Sequence, residues 1–113
     1  MTETLSQKQR RFAKMLPVLF QRLHELGYEA TLGDAYRDPR LHGNVGVKLG
    51  YGHAKSCHKL RLAQDINLWK NNVYLTKTED YEPIGLIWES MGGTWGGRFG
   101  DGNHFSLAHE GMR

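Results

Sequence analysis

Apolar residues recur at helical spacing through the first part of the chain. Phe12, Met15, Leu16, Leu19, Leu23 and Leu26 share one side of a 3.6-residue period. Ser6, three residues before Gln9, fits a capping box that opens this helix, and Gly27 supplies its stop. Pro17 lies inside the pattern, and a ring that lacks an N–H predicts a kink or a break there. Tyr28 to Arg37 then reads as a short strand, with Gly33 and Asp34 marking a bend or bulge. Asp38-Pro39 turns the chain into a glycine-rich segment, Leu41 to Gly52, that reads as an exposed loop. From Ala63 to Trp69 the period changes to two. Ala63, Asp65, Asn67 and Trp69 fall on one face, Gln64, Ile66 and Leu68 on the other. Asn71-Asn72 is a turn signal. From about Glu79 to Met91 a second helix turns Tyr81, Ile84, Ile87, Trp88 and Met91 inward, and Gly92-Gly93 ends it. A glycine-dense stretch, Gly96 to Gly102, leads into His104 to His109, which reads as the last strand. Helices flanking a small, mostly antiparallel sheet give an α+β fold.

With 113 residues, no internal repeat and no linker composition, residues 1–113 are expected to form a single domain. No apolar run approaches the ~20 residues needed to span a bilayer. The opening Met1-Thr2-Glu3-Thr4-Leu5-Ser6-Gln7 lacks the basic and apolar regions of a signal peptide, so the expectation is a protein made in a cytoplasm. It would reach a target outside the membrane only after release by another factor. A single cysteine, Cys57, excludes an internal disulfide and a Cys-rich zinc site. Six histidines in so short a chain make a metal site worth testing. The net charge of +3 suits an anionic partner such as a cell-wall polymer. No basic stripe interleaved with aromatics points to nucleic acid, and a metal-dependent nuclease is therefore the weaker reading. A monomer is expected.

Two clusters carry chemistry: Ser56 to Asp65 (SCHKLRLAQD) and Gly100 to Phe105 (GDGNHF). The ligand atoms of one zinc ion sit about 2.0–2.2 Å from it, so any two of them lie only a few ångströms apart. His58 and Asp65 are seven residues apart. On a helix that spacing is roughly 10 Å along the axis, and on one strand the two would face opposite ways. They can share an ion only if His58 precedes a turn and Asp65 lies on the strand that follows. His104, from a different strand, would close the site. Two neutral imidazoles and one carboxylate leave a coordination position open, as in catalytic rather than structural zinc sites. Asp101, in a glycine-flanked turn three residues before His104, is placed to act as general base toward an activated water.

The pattern Ser-x-His-(x)6-Asp followed by Asp-x-x-His-Phe resembles the zinc D,D-carboxypeptidase and L-alanyl-D-glutamate endopeptidase family. That family includes VanX- and VanY-type enzymes and phage endolysins. The likeness covers Tyr36-Arg37, Ser56 to Trp69, Tyr81 to Gly97 and Asp101 to Phe105. It is strongest to the phage endolysins, because Arg-Leu-Ala precedes the acidic ligand and Asp replaces a Glu base. The resemblance implies a hedgehog/D,D-peptidase-like fold with one zinc ion held by His58, Asp65 and His104. It also implies Asp101 as base, Arg37 as a group stabilising the oxyanion or a nearby carboxylate, and Ser56 as a supporting residue. Arg61 departs from the pattern, since many bacterial members carry glycine there. The expected activity is hydrolysis of the L-Ala–D-Glu bond of peptidoglycan stem peptides. D-Ala–D-Ala cleavage and a non-catalytic zinc-containing wall-binding module are the alternatives.

Blander roles compete for individual residues. Asp101-Gly102 is also a common turn dipeptide, and Arg37 could simply pair with Asp34 or Asp38. His24 and His42 read as solvent-facing, and His53 and His109 as background. Cys57 reads as packing, Trp69 and Trp88 as core, and Trp95 as core or groove wall.

Overall fold

The computed structural model describes residues 3–49 and 52–113. Met1-Thr2 of the opening segment and Gly50-Tyr51 of the expected loop lie outside the described residues. Helix α1 runs over Leu5–Glu25 and buries Phe12, Met15, Leu19 and Leu23. Its cap is Thr4 rather than Ser6. The Thr4 hydroxyl accepts from the Gln7 N–H at 3.1 Å, and the Gln7 side-chain oxygen accepts from the Thr4 N–H at 2.8 Å. The hydroxyl-x-x-Gln pattern occurs twice in the sequence, and the earlier start brings Leu5 against the core. Gln9 is thereby freed to donate to the Leu60 carbonyl at 2.7 Å. The helix does not break at Pro17. Pro17 and Ala13 are both on the exposed side, so the carbonyl that proline deprives of a helical donor faces water. Leu26, expected inward, is the C-cap and half exposed.

Strand β1 (Tyr28–Leu32) pairs antiparallel with β2 (Ala63–Lys70), from Tyr28 opposite Lys70 to Leu32 opposite Ile66. It stops at Leu32, five residues short of the expected Arg37. Beyond Leu32 the Gly33 N–H still donates to the Asp65 carbonyl and the Asp65 N–H to that of Asp34. There the Gln64 amide also bonds the Gly33 and Asp34 carbonyls, which draws the chain out of the ladder. Residues 33–38 therefore leave the sheet and carry Arg37 toward the cleft described below. A four-residue turn of helix, α2 (Pro39–His42), opens the following loop.

Asn71 and Asn72 adopt φ of 51° and 63°. Two consecutive left-handed residues match the twist of a tight hairpin, and β3 (Val73–Tyr74) returns along β2. Trp69 is not core. It lies on the open face of β2 with Asp65 and Asn67, its ring 5.0 Å from that of Tyr74. The second helix is shorter than its pattern. Thr78–Tyr81 forms a 3-10 turn and α3 spans Glu82–Ser90. Pro83 explains the difference: it fits the first turn of α3, whereas a helix begun at Glu79 would need its missing N–H.

β4 (Thr94–Trp95) and β5 (His104–Ser106) complete the sheet, in the order β1-β2-β5-β4 with β3 alongside β2. The last strand ends at Ser106, not His109. Leu107 is already off the ladder, held by its N–H to the Leu62 carbonyl, and a turn between His109 and Met112 follows. The fully buried Trp88 anchors the core, edge-on to Phe12 at 5.8 Å and to Phe105 at 6.3 Å, with its indole N–H donating to Ser106 O at 2.9 Å. The result is an α+β fold in which β2 and β5 lie at the centre of the sheet.

Candidate metal centre and active-site cleft

His58 lies in a 3-10 turn, Cys57–Leu60, whose start is capped by Ser56 through an N–H···O bond of 3.2 Å from His58. Arg61 then takes a left-handed conformation, φ 57° and ψ 35°, and reverses the chain into β2. This is the bend that the His58–Asp65 spacing demands. Asp65 and His104 are register partners across β2 and β5, so both side chains project from the same face. Gly96 packs beneath them. A Cβ there would collide with the Asp101 carbonyl and the His104 Cβ, so only glycine lets the chain pass this closely.

Three ligand-type atoms converge. His58 Nε2 lies 3.1 Å from Asp65 Oδ1 and 3.2 Å from His104 Nδ1, and His104 Nδ1 lies 3.7 Å from Asp65 Oδ1. Ligands of a tetrahedral zinc with bonds of about 2.1 Å stand roughly 3.4 Å apart. The observed separations straddle that value. The other nitrogen of His58, Nδ1, is 2.6 Å from the Ala35 carbonyl. A carbonyl only accepts, so Nδ1 carries a proton and Nε2 is the atom turned toward the cluster. A nitrogen and a carboxylate oxygen thus stand at contact distance in a buried place, bridged by a proton or by a shared cation. A divalent cation satisfies that donor set. Burial pushes the Asp65 carboxyl upward, but hydrogen bonds and charge from His104 and His58 outweigh it and hold the pKa down to about 2. The Asp65 side chain is therefore ionised at neutral pH.

Asp101 is engaged through its backbone and presents its carboxylate to the cleft. Its N–H donates to the Gly96 carbonyl and its own carbonyl accepts from the His104 N–H, which makes the turn. Its carboxylate is half exposed and lies 3.9 Å from His104 Nδ1. Arg37 is likewise doubly engaged. Its N–H donates to the His58 carbonyl, its Nε pairs with Asp34 at 3.3 Å, and its Nη1 donates to Ser56 Oγ at 3.3 Å. Asp38 is taken by Arg40 instead, whose hydrogen bonds bring its pKa down to about 2.

These residues open on a cleft of ≈ 300 Å³ whose walls include Arg37, Ser56, His58, Asp101 and His104. The wall also holds His53, Phe99 and Arg113. His53 reads as background in the sequence, and only the glycine-rich run before it hints that the backbone comes close. Phe99 packs edge-on to His104 with ring centroids 5.6 Å apart. His42 is buried, not solvent-facing, because the loop folds back and its carbonyl accepts from the Lys59 ammonium. His24 is exposed, and His109 is within 3.2 Å of the Lys8 ammonium, outside the cleft. Cys57 is core: its thiol donates to the Leu107 carbonyl at 3.3 Å, and burial pushes its pKa up to about 11.

A sequence profile of the D-alanyl-D-alanine carboxypeptidase family matches residues 50–107, just over half of the chain. The chain belongs to this family. Its members are zinc peptidases of the VanX/VanY-like kind, and the donor set of this site fits such an ion. The matched segment contains His58, Asp65, Asp101 and His104, while Arg37 lies before it. A search of curated proteins finds no match. No helix among the described residues is long and apolar enough to cross a membrane.

Proposed function

We propose that this chain is a one-domain peptidoglycan hydrolase, like the phage endolysins, that cleaves the L-Ala–D-Glu bond of the stem peptide. In this reading His58, Asp65 and His104 hold one zinc ion, Asp101 is the general base, Arg37 stabilises developing negative charge and Ser56 supports them. The observation that carries it is the convergence of two imidazoles and one carboxylate beside a half-exposed acid in an open cleft. A zinc ion bound there supplies Lewis-acid activation of water and of the scissile carbonyl.

The protein's own groups supply the rest. The Asp101 carboxylate reaches solvent, so it can accept a proton from the attacking water and return it to the leaving amine. Arg37 brings a fixed positive charge to the cleft wall, suited to an oxyanion. The Ser56 hydroxyl accepts from both the His58 N–H and Arg37, which couples the position of a ligand to that of the arginine. In this reading the enzyme acts on the wall after another factor releases it.

The test is mass spectrometry of muropeptides released from purified peptidoglycan by the zinc-loaded protein. New L-Ala carboxyl and D-Glu amine ends are expected. The Asp101→Asn protein should keep its zinc and lose at least about 100-fold in rate. Release of free D-Ala would instead establish D-Ala–D-Ala cleavage, the reading that the family's description favours. Intact muropeptides with zinc bound would leave a wall-binding module.

A further inference from the structure

The cleft over the metal cluster continues into two recesses that share no residue with each other. One, of ≈ 270 Å³, adjoins it through Asp101 and carries Tyr74, Thr76, Thr78 and Asn103, a wall of hydroxyls and amide with one lysine, Lys77. The other, of ≈ 350 Å³, shares His53, Phe99 and Arg113 with the cleft and adds Lys55 and Met112. Among the described residues, no acidic side chain lines this second recess. The Arg113 guanidinium lies 4.1 Å over the Phe99 ring, which gives it a fixed stage. Lys55 is exposed, and among the described residues its ammonium has no carboxylate or hydrogen-bond partner. Two permanent cations and a histidine thus face one open recess beside the proposed reaction centre.

A stem peptide is asymmetric in charge. On the amino side of the L-Ala–D-Glu bond L-Ala is capped by a neutral acyl group. On the other side come the D-Glu α-carboxylate, beside the leaving nitrogen, and then the third residue, a diamino acid. In some walls that residue carries a side-chain carboxylate, as in meso-diaminopimelate, and in others it is lysine. D-Glu is joined through its γ-carboxyl, so five bonds, roughly 6 Å of extended chain, separate the leaving nitrogen from that of the third residue, which lies where the cleft opens into the cationic recess.

We infer that the recess formed by Lys55, Arg113 and His53 receives the side-chain carboxylate of the third stem-peptide residue and so selects diaminopimelate-type over lysine-type peptides. This rests on the proposed reading of the site as a stem-peptide hydrolase. The amino side of the substrate then runs along the Tyr74–Thr78 recess. A lysine in the third position brings the same ammonium toward Lys55 and Arg113 without the carboxylate that offsets it in diaminopimelate, and like charges disfavour that complex.

The test uses calorimetric titration of the zinc-loaded Asp101→Asn protein, which should not cut its ligand. The probes are three synthetic peptides, N-acetyl-L-Ala-γ-D-Glu-X-D-Ala, with X as meso-diaminopimelate, its side-chain amide, or lysine. The carboxylate peptide should bind about 10-fold tighter than either of the others. Adding Lys55→Gln with Arg113→Gln should bring all three within about twofold, with zinc content unchanged. Equal binding of the three peptides, no measurable binding of any, or a preference that survives both substitutions would overturn the inference. Wild-type turnover of the same peptides is a separate readout. If the preference is present but none is cut, the hydrolase reading fails and the recess assignment stands.

Discussion

The β2–β5 seam and the loop from residue 38 to residue 55 both contribute to the same cleft, but they are held in opposite ways. At the seam, Asp65 and His104 face each other across a backbone ladder whose other pairs, Gln64 with Phe105 and Ala63 with Ser106, are buried. Many independent contacts fix the ligands. The loop supplies Gly52 and His53 to the opposite wall, while Leu41, Val45, Val47 and Leu49 point outward. Much of its order comes from Lys59. This lysine is buried, and its ammonium donates to the carbonyls of His42 at 2.8 Å, Asn44 at 3.3 Å and Val47 at 2.6 Å. A buried cation among carbonyl dipoles is tolerable only while all of those bonds are made. The difference teaches that the candidate metal cluster and the opposite cleft wall are separately supported, so one can vary without the other.

Removing a ligand should break the seam side with the largest effect. Asp65→Ala leaves two imidazoles, removes the negative charge that favours a divalent ion, and opens little of the core because the side chain projects from the half-open face. Zinc should fall to background by elemental analysis. Peptidoglycan cleavage should drop by at least about 1000-fold, while the circular dichroism spectrum stays that of the wild type.

Lys59→Met tests the other side. It retains the aliphatic stem and deletes the three bonds, leaving carbonyls that must find water, a loss of about 1–3 kcal/mol. Hydrogen exchange should accelerate across residues 42–49 while the amides of Asp65 and His104 remain protected. KM should rise more than kcat falls. If protection at the seam collapses in parallel, the two regions are one cooperative unit and the comparison fails.

How far each region could be read in advance follows the same division. The faces of α1, the alternation of β2 and the Asn71-Asn72 turn are local patterns, and apart from Leu26 at the helix end their residues sit as those patterns require. The bend between His58 and Asp65 was legible for a chemical reason: two ligands seven residues apart cannot share an ion on any regular element. Boundaries were harder where a pattern repeats or a single residue decides, as with Thr4 against Ser6 and with Pro83 at the start of α3. The loop was the least legible part. Lys59 beside a metal-ligand candidate reads as a surface charge, and His42 reads as exposed, because only the folded path brings Lys59 to the His42 carbonyl. His53, Phe99 and Arg113 meet in one wall from three separate stretches of chain, and no spacing within the sequence announces that.

Cys57, adjacent to His58 yet packed in the core, sharpens the boundary between ligand and scaffold. Cys57→Ser should leave zinc content within error of the wild type and cost about 1 kcal/mol, since a hydroxyl replaces a buried thiol but can keep the bond to Leu107. In the native protein the raised thiol pKa and complete burial should make labelling by a thiol reagent at pH 8 follow the rate of unfolding. Rapid labelling of folded protein would place Cys57 at the surface.

The smallest effect is expected at Arg61, the hinge by which the His58 turn enters β2. A non-glycine residue at φ 57° carries a penalty of about 1 kcal/mol, which glycine would relieve. Against that, Arg61→Gly loses the stacking of the guanidinium 3.9 Å from the Tyr36 ring, about 0.5–1 kcal/mol at an exposed site, and gains freedom in the unfolded chain worth about 0.4–1 kcal/mol. The terms nearly cancel, so the melting temperature of Arg61→Gly should stay within about 4 °C of the wild type. Arg61→Ala separates them, because it keeps the backbone strain and still loses the stack. Calorimetry should therefore rank wild type and glycine together and alanine below both by about 1 kcal/mol. Alanine equal to wild type would mean that the guanidinium contributes nothing to holding this hinge, and that the left-handed turn is imposed by the His58 and β2 contacts alone.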